Sequence, residues 1–250
     1  DLRKVVIPET VTTLSKDAFS SSYFAEIQEF VYTDSLVNIG KSAFGRNKWT
    51  ESFVDNPIIV NNQLYRFNSN EKQVNIPEGI TEIFSDAFSI YNKNYIETIT
   101  LPKTLKRIRK RTFSSFNNLT SVYLQEGLES LENECFCSCK KLGRVVIPDS
   151  VLEIGDSAFN YCAALTEVSF GKNVSKIGKD AFGHCSALSR VYLPDSLLEI
   201  EDKLFSGCTS LNEIHFPTNL TKIGKSAFSD CTSLDGLYLP ESVSQIGAHA

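Results

Sequence analysis

Seven cysteines and three histidines are the side chains in this 250-residue chain best suited to metal, redox or nucleophilic chemistry. Five of the cysteines, Cys139, Cys162, Cys185, Cys208 and Cys231, recur every 23 residues. A structural zinc site wants four ligands converging on one point, with spacings such as C-x-x-C. The cluster Cys135-Phe-Cys-Ser-Cys139 comes nearer to a metal loop, with Cys137 as its one cysteine off the repeat. An exposed Cys137 would be a reactive thiol. The histidines, His184, His215 and His249, fall at different positions of different repeats, and no Gly-rich phosphate loop is present. Serines recur because turns recur, so no nucleophile–base pair stands out. Asn118-Leu-Thr, Asn173-Val-Ser and Asn219-Leu-Thr match the glycosylation sequon, which acts only in a eukaryotic secretory pathway.

The elements that would position these residues repeat. Residues 147–169 read IPDSVLEIGDSAFNYCAALTEVS, and three similar units follow before a further copy opens at Leu239. The last apolar residue of the motif L-x-x-V-x-[ILF] falls at Ile7, Tyr32, Ile76, Leu101, Leu124, Ile147, Phe170, Leu193, Phe216 and Leu239. The steps between them are 25, 44, 25 and then 23 throughout. A fixed period in this range marks a stacked solenoid. Each 25-residue unit carries its extra pair at 20–25 or 89–95, where added length bulges one edge. The 44-residue step contains Ile58-Ile-Val60, Asn61-Asn62 and Gln63-Leu-Tyr-Arg-Phe67, two β-prone runs about a tight turn, hence a hairpin inside an irregular unit at about 45–75. Trp49, the single tryptophan, sits at its base, either as a plug between irregular and regular units or as a ligand contact.

Within a regular unit Leu188, Val191 and Leu193 suit a short strand, with Tyr192 on its other face. Proline then ends the pairing, as at Pro148, Pro194 and Pro217. A V-x-x-I-G stretch suits a second short strand, and x-x-A-F-x-x-C one 3-10 or α turn. No single unit of this length buries its apolar face, so the units must stack, about 4.8 Å apart. Like residues then form columns: Phe113, Phe136, Phe159, Phe182, Phe205 and Phe228 in one, the five periodic cysteines in another. Spread along a stack, those sulfurs suit neither a zinc site nor disulfide geometry, and read as small buried hydrophobes.

The motif L-x-x-V-x-[IL]-P-x-x-V-x-x-I-G-x-x-A-F-x-x-C closely resembles the leucine-rich repeat of BspA-like bacterial surface proteins. The likeness spans residues 1–250 and is loosest at 45–75; Thr33, Gln125 and Gly171 replace the usual proline. The resemblance implies an α/β repeat solenoid, a right-handed superhelix that is β-rich, with a parallel concave sheet and short 3-10 or α turns. It implies a single solenoid domain over 1–250. It also implies a cell-surface or secreted location and non-catalytic adhesion, by binding host matrix or cell-surface proteins. No catalytic residue and no cofactor transfers with this repeat. Both ends fall inside repeats, so the chain reads as an excerpt of a longer protein.

Between the inward positions of the long strand, two columns would face the concave surface. One runs through Tyr123, Val146, Ser169, Tyr192, His215 and Tyr238, the other through Arg144, Glu167, Arg190 and Glu213. The second alternates in sign, which is either a self-paired ladder of exposed ion pairs or part of a binding face. On the binding reading Tyr123, Tyr192, His215 and Tyr238 form an aromatic strip flanked by Arg144 and Arg190, and Tyr and Arg are enriched at hot spots. A net charge of −5 gives no electrostatic case for nucleic acid. The apolar runs fall short of the roughly 18–20 residues that span a bilayer. The partner that the resemblance implies is a protein, and the alternative role is a passive stalk displaying another domain.

Overall fold

The computed structural model describes residues 2–33, 35–40, 42–52, 57–67, 69, 71–88 and 92–250. Each regular coil runs through a three-residue strand, a proline turn, a two-residue strand and a run of turns before the next coil begins. In Arg144–Val146 the middle valine is buried and its neighbours are exposed, so one inward residue per strand feeds the core. The strands pair in parallel with their counterparts one coil away. Gln73–Asn75, Thr98–Thr100, Ser121–Tyr123, Arg144–Val146 and Glu167–Ser169 form one five-stranded ladder, and Arg190–Tyr192 pairs with Glu213–His215 in another. The registers, such as Val146 to Ser169 and Tyr192 to His215, align the surface columns expected from the period. The two-residue strands form ladders of their own, as in Glu153–Ile154 with Lys176–Ile177. This is a β-solenoid of stacked parallel coils.

The phenylalanines stack along its length. Phe113, Phe136, Phe159, Phe182 and Phe205 are fully buried. Successive rings from Phe113 to Phe182 lie 5.3 Å apart and within 14° of parallel. That separation is close to the spacing of hydrogen-bonded strands, so one ladder sets the other. Ala158 and Ala181, buried beside the rings, leave them room.

The helical content departs from expectation. Among the described residues the α-helix is Lys48–Ser52, and the 3-10 turns are Ser22–Phe24 and Asn92–Asn94. These 3-10 turns take up the extra pairs of the 25-residue units, although residues 89–91 of the second lie outside the described residues. The x-x-A-F-x-x-C segment is not a helix. Its N–H groups alternate between two destinations. Ala158, Asn160 and Cys162 bond three residues back, to Gly155, Ser157 and Phe159. Ser157, Phe159 and Tyr161 instead donate to Lys179, Ala181 and Gly183 of the next coil. A helix would spend all its N–H groups internally and leave nothing for stacking. The alternation needs left-handed backbone at Ser157 (φ 53°) and Tyr161 (φ 59°), and the same two slots recur along the chain. The expected α/β character therefore gives way to β-structure and turns.

In the irregular unit Ile58–Val60 and Gln63–Arg66 form the expected antiparallel hairpin, turning at Asn61 (φ 48°) and Asn62 (φ 61°). Its second strand also pairs in parallel with Glu82–Ile83, so the hairpin supplies a rung to the short-strand ladder. Two buried clusters meet there, Leu64 belonging to one and Tyr65 to the other. Trp49 is buried against Phe30 (ring centroids 4.7 Å) and Phe44 (5.3 Å), which is the plug and not the ligand contact.

Candidate functional site

The periodic cysteines do a structural job that their spacing only half reveals. The Sγ–H of Cys139 donates to the carbonyl of Phe113 in the preceding coil at 3.1 Å. Cys162, Cys185, Cys208 and Cys231 do likewise to Phe136, Phe159, Phe182 and Phe205, at 3.1 to 3.3 Å. Thiol and phenylalanine columns are thus stitched together. Burial pushes the Cys162, Cys185 and Cys208 thiols well up, and that of Cys231 up to about 11. Cys137 does not occupy the exposed position that would favour a reactive thiol. It is half-buried, and burial raises its pKa, only partly offset by the Ser138 hydroxyl at 3.6 Å. Two of the sequon asparagines are occupied in the stack, Asn173 donating to the Asp149 carbonyl at 2.8 Å and Asn118 to that of Asn94.

The long-strand face brings some of the expected surface residues together and separates others. Tyr192 and His215 are register partners on adjacent strands, and their rings stack at 4.4 Å and 8°. Glu213 lies between them: its Oε1 is 2.7 Å from His215 Nε2 and accepts from the Tyr192 hydroxyl at 3.3 Å. The His215 hydrogen bond holds the Glu213 carboxyl below its usual range, helped by the two-partner contact and the nearby Arg190 charge. Tyr123 and Tyr192 lie three coils apart, with Val146 and Ser169 between them. Tyr123 is exposed but stands apart from the stack. Tyr238 is 95% exposed and lies outside any strand, so it does not extend the sheet.

The charged column resolves unevenly. Arg144 Nη2 lies 3.2 Å from Glu167 Oε1, one rung of a self-paired ladder. Glu213 turns instead to His215 and Tyr192. Arg190 makes no contact ion pair among the described residues, although its charge acts on Glu213.

A second Tyr–His pair was not singled out by the sequence reading. Tyr161 and His184 stack at 4.5 Å and 9° on the turn side of adjacent coils. Both occupy the second left-handed slot of the turn, with φ of 59° and 57°. Their separation of 23 residues was the available signal. Among the described residues no helix is long and apolar enough to cross a membrane.

Comparison with known proteins agrees with this geometry. The profile described as "BspA type Leucine rich repeat region (6 copies)" matches residues 1–92, 53–164, 89–209 and 129–250. Among solved structures, the leucine-rich-repeat protein of T. pallidum is 25% identical over 73% of this chain and 91% of its own, with a TM-score of 0.61. A leucine-rich-repeat protein from Eubacterium ventriosum has the same fold, with 23% identity, a TM-score of 0.60, and coverage of 98% of this chain and 75% of that one. Among curated protein sequences, none matches. With overlapping profile matches running from residue 1 to residue 250, the chain belongs to the BspA-type leucine-rich-repeat family.

Proposed function

We propose that this chain is a non-catalytic protein-binding module of a cell-surface or secreted adhesin, one solenoid acting through the concave, long-strand face. The observation that carries the reading is the Tyr192–His215 stack. Two large rings remain over half exposed on their outer faces, yet are fixed by each other and by Glu213. Exposed aromatics gain most from being covered, and rings already held in place lose little entropy on binding. Other charges of this face pair with one another, as in Lys4–Glu29 at 2.9 Å and Arg144–Glu167 at 3.2 Å, so they contribute less to a partner. Surface location is what the family resemblance supports, and host matrix or cell-surface proteins are the partners it points to.

The test is saturable binding of the purified chain to a panel of immobilised extracellular-matrix proteins. Specific, saturable capture by at least one is expected. Absence of saturable capture across the panel would instead favour a spacer that displays another domain.

A further inference from the structure

The long-strand ladder is interrupted between Glu167–Ser169 and Arg190–Tyr192. Between paired long strands the N–H at the start of the strand, or the one just before it, bonds the coil before it, as Thr98 to Lys72 (2.9 Å), Thr166 to Gly143 (2.9 Å) and Glu213 to Ser189 (3.3 Å). In most of these pairs the N–H that follows the strand bonds the coil after it, as Ile147 to Ser169 (2.8 Å) and Leu193 to His215 (3.1 Å), Leu124 being an exception. Among the described residues, neither bond forms across this gap. The amides of Ser189, Arg190 and Phe170 therefore face it without a backbone partner. The gap is a cleft of about 580 Å³, with Phe170 and Tyr192 as apolar walls. Its position coincides with a change in the repeat. Glu201 stands where Gly155, Gly178 and Gly224 stand in other coils. A Cβ on Gly178 or Gly224 would lie 2.5 Å from the backbone nitrogen of Asp156 or Asp202 in the preceding coil. Glu201 carries that Cβ, and the short-strand ladder is also broken there, between Lys176–Ile177 and Glu199–Ile200. Glu132 occupies the same slot without a break, its carboxylate accepting from the Lys110 amide of the preceding coil at 3.0 Å.

We propose that this cleft is an anchor for an acidic side chain, Asp or Glu, on an extended segment of a partner protein. The proposal rests on the binding reading above and adds the chemistry of the contact. The Arg190 guanidinium acts on Glu213 only at a distance and makes no contact ion pair among the described residues, because Glu167 pairs with Arg144 and Glu213 with His215. The Ser189 and Arg190 amides supply further donors to the same carboxylate, and hydrogen bonds to an ionised group are the strong ones. Glu167 lines the cleft too, but Arg144 holds its carboxylate from the opposite side. Phe170 and Tyr192 cover the methylene stem of the incoming residue.

The experiment is an NMR titration of the whole chain with the capped peptide acetyl-Val-Glu-Val-amide and with its Gln analogue. The Glu peptide is expected to shift the Ser189, Arg190 and Phe170 amides and the Arg190 Nε–H saturably, and to bind about tenfold more tightly than the Gln analogue. Arg190→Gln should abolish this preference, while Lys222→Gln, on the short-strand ladder away from the cleft, should keep it. Equal shifts with both peptides, no shifts at these groups, or a preference that survives Arg190→Gln would each overturn the anchor. Failure of the anchor is separable from failure of the face. If Tyr192→Ala weakens matrix-protein capture and Arg190→Gln does not, the face stands and the anchor falls. If neither weakens it, both fall.

Discussion

Truncating Phe182 to alanine removes a ring that touches three others. It is fully buried, lies 5.3 Å from Phe159 and 5.9 Å from Phe205 in near-parallel stacks, and meets Phe170 edge-on at 5.6 Å. Core Phe→Ala changes cost about 3–5 kcal/mol, and a site with rigid neighbours on every side collapses little, so the upper half of that range applies. In a solenoid the loss falls on the two interfaces of one coil, because stability is a sum of nearest-neighbour terms. With a urea m-value of about 2–3 kcal/mol/M, the far-UV circular dichroism midpoint should fall by roughly 1.3–2.5 M. The single tryptophan gives a control. Trp49 belongs to the buried cluster before the hairpin, and Phe182 to the one after it. Its fluorescence midpoint should move less than the dichroism midpoint. A dichroism shift worth under about 1 kcal/mol would refute the stacked column, since no buried ring of this kind is that cheap to lose.

Three further outcomes follow from the coil geometry. The buried thiols should resist iodoacetamide at pH 8 in the folded chain and react on unfolding. A folded cysteine with a raised pKa keeps a proton that the unfolded chain loses near its usual value of about 8.5. Its stabilisation is therefore complete below that value and declines as pH rises through about 11 for Cys231, so the melting temperature should fall over this window and Cys231→Val should flatten the decline. At Ser157 (φ 53°), Gly relieves the left-handed cost and should leave stability unchanged or raise it by up to about 1 kcal/mol, whereas Val should destabilise in a urea melt. Gly178→Ala places a methyl 2.5 Å from the Asp156 nitrogen, so the Gly178 amide, bonded to the Ile154 carbonyl at 2.7 Å, should exchange with deuterium faster; unchanged exchange would contradict the close approach.

Much of this was legible in the residues. The period alone aligned Phe136 with Phe159 and Tyr192 with His215, because a solenoid turns sequence spacing into spatial neighbours. The Asn61-Asn62 turn was readable because asparagine tolerates positive φ. The A-F-x-x-C segment was misread as helical, since its contacts three residues back look the same locally. What decides it is that every second N–H serves the next coil, a demand invisible within one unit. The cysteine-to-carbonyl bonds were hidden for the same reason: they join residues 26 apart. Arg144 and Arg190 look equivalent in the repeat. They differ because Glu167 pairs with Arg144, whereas Glu213, the register partner of Arg190, is engaged by His215 and Tyr192.

The two Tyr–His stacks offer the most direct measurement. Tyr192/His215 and Tyr161/His184 have the same ring chemistry and nearly the same stacking distance, 4.4 and 4.5 Å, on different sides of the coils. Equilibrium binding to a captured matrix protein should be measured for each pair replaced by alanine, with melting temperature as the fold check. Weakening by at least about tenfold for Tyr192→Ala/His215→Ala, and none for Tyr161→Ala/His184→Ala, is the expected result. Equal binding by both variants, or loss only on the turn side, would contradict the long-strand face as the binding surface.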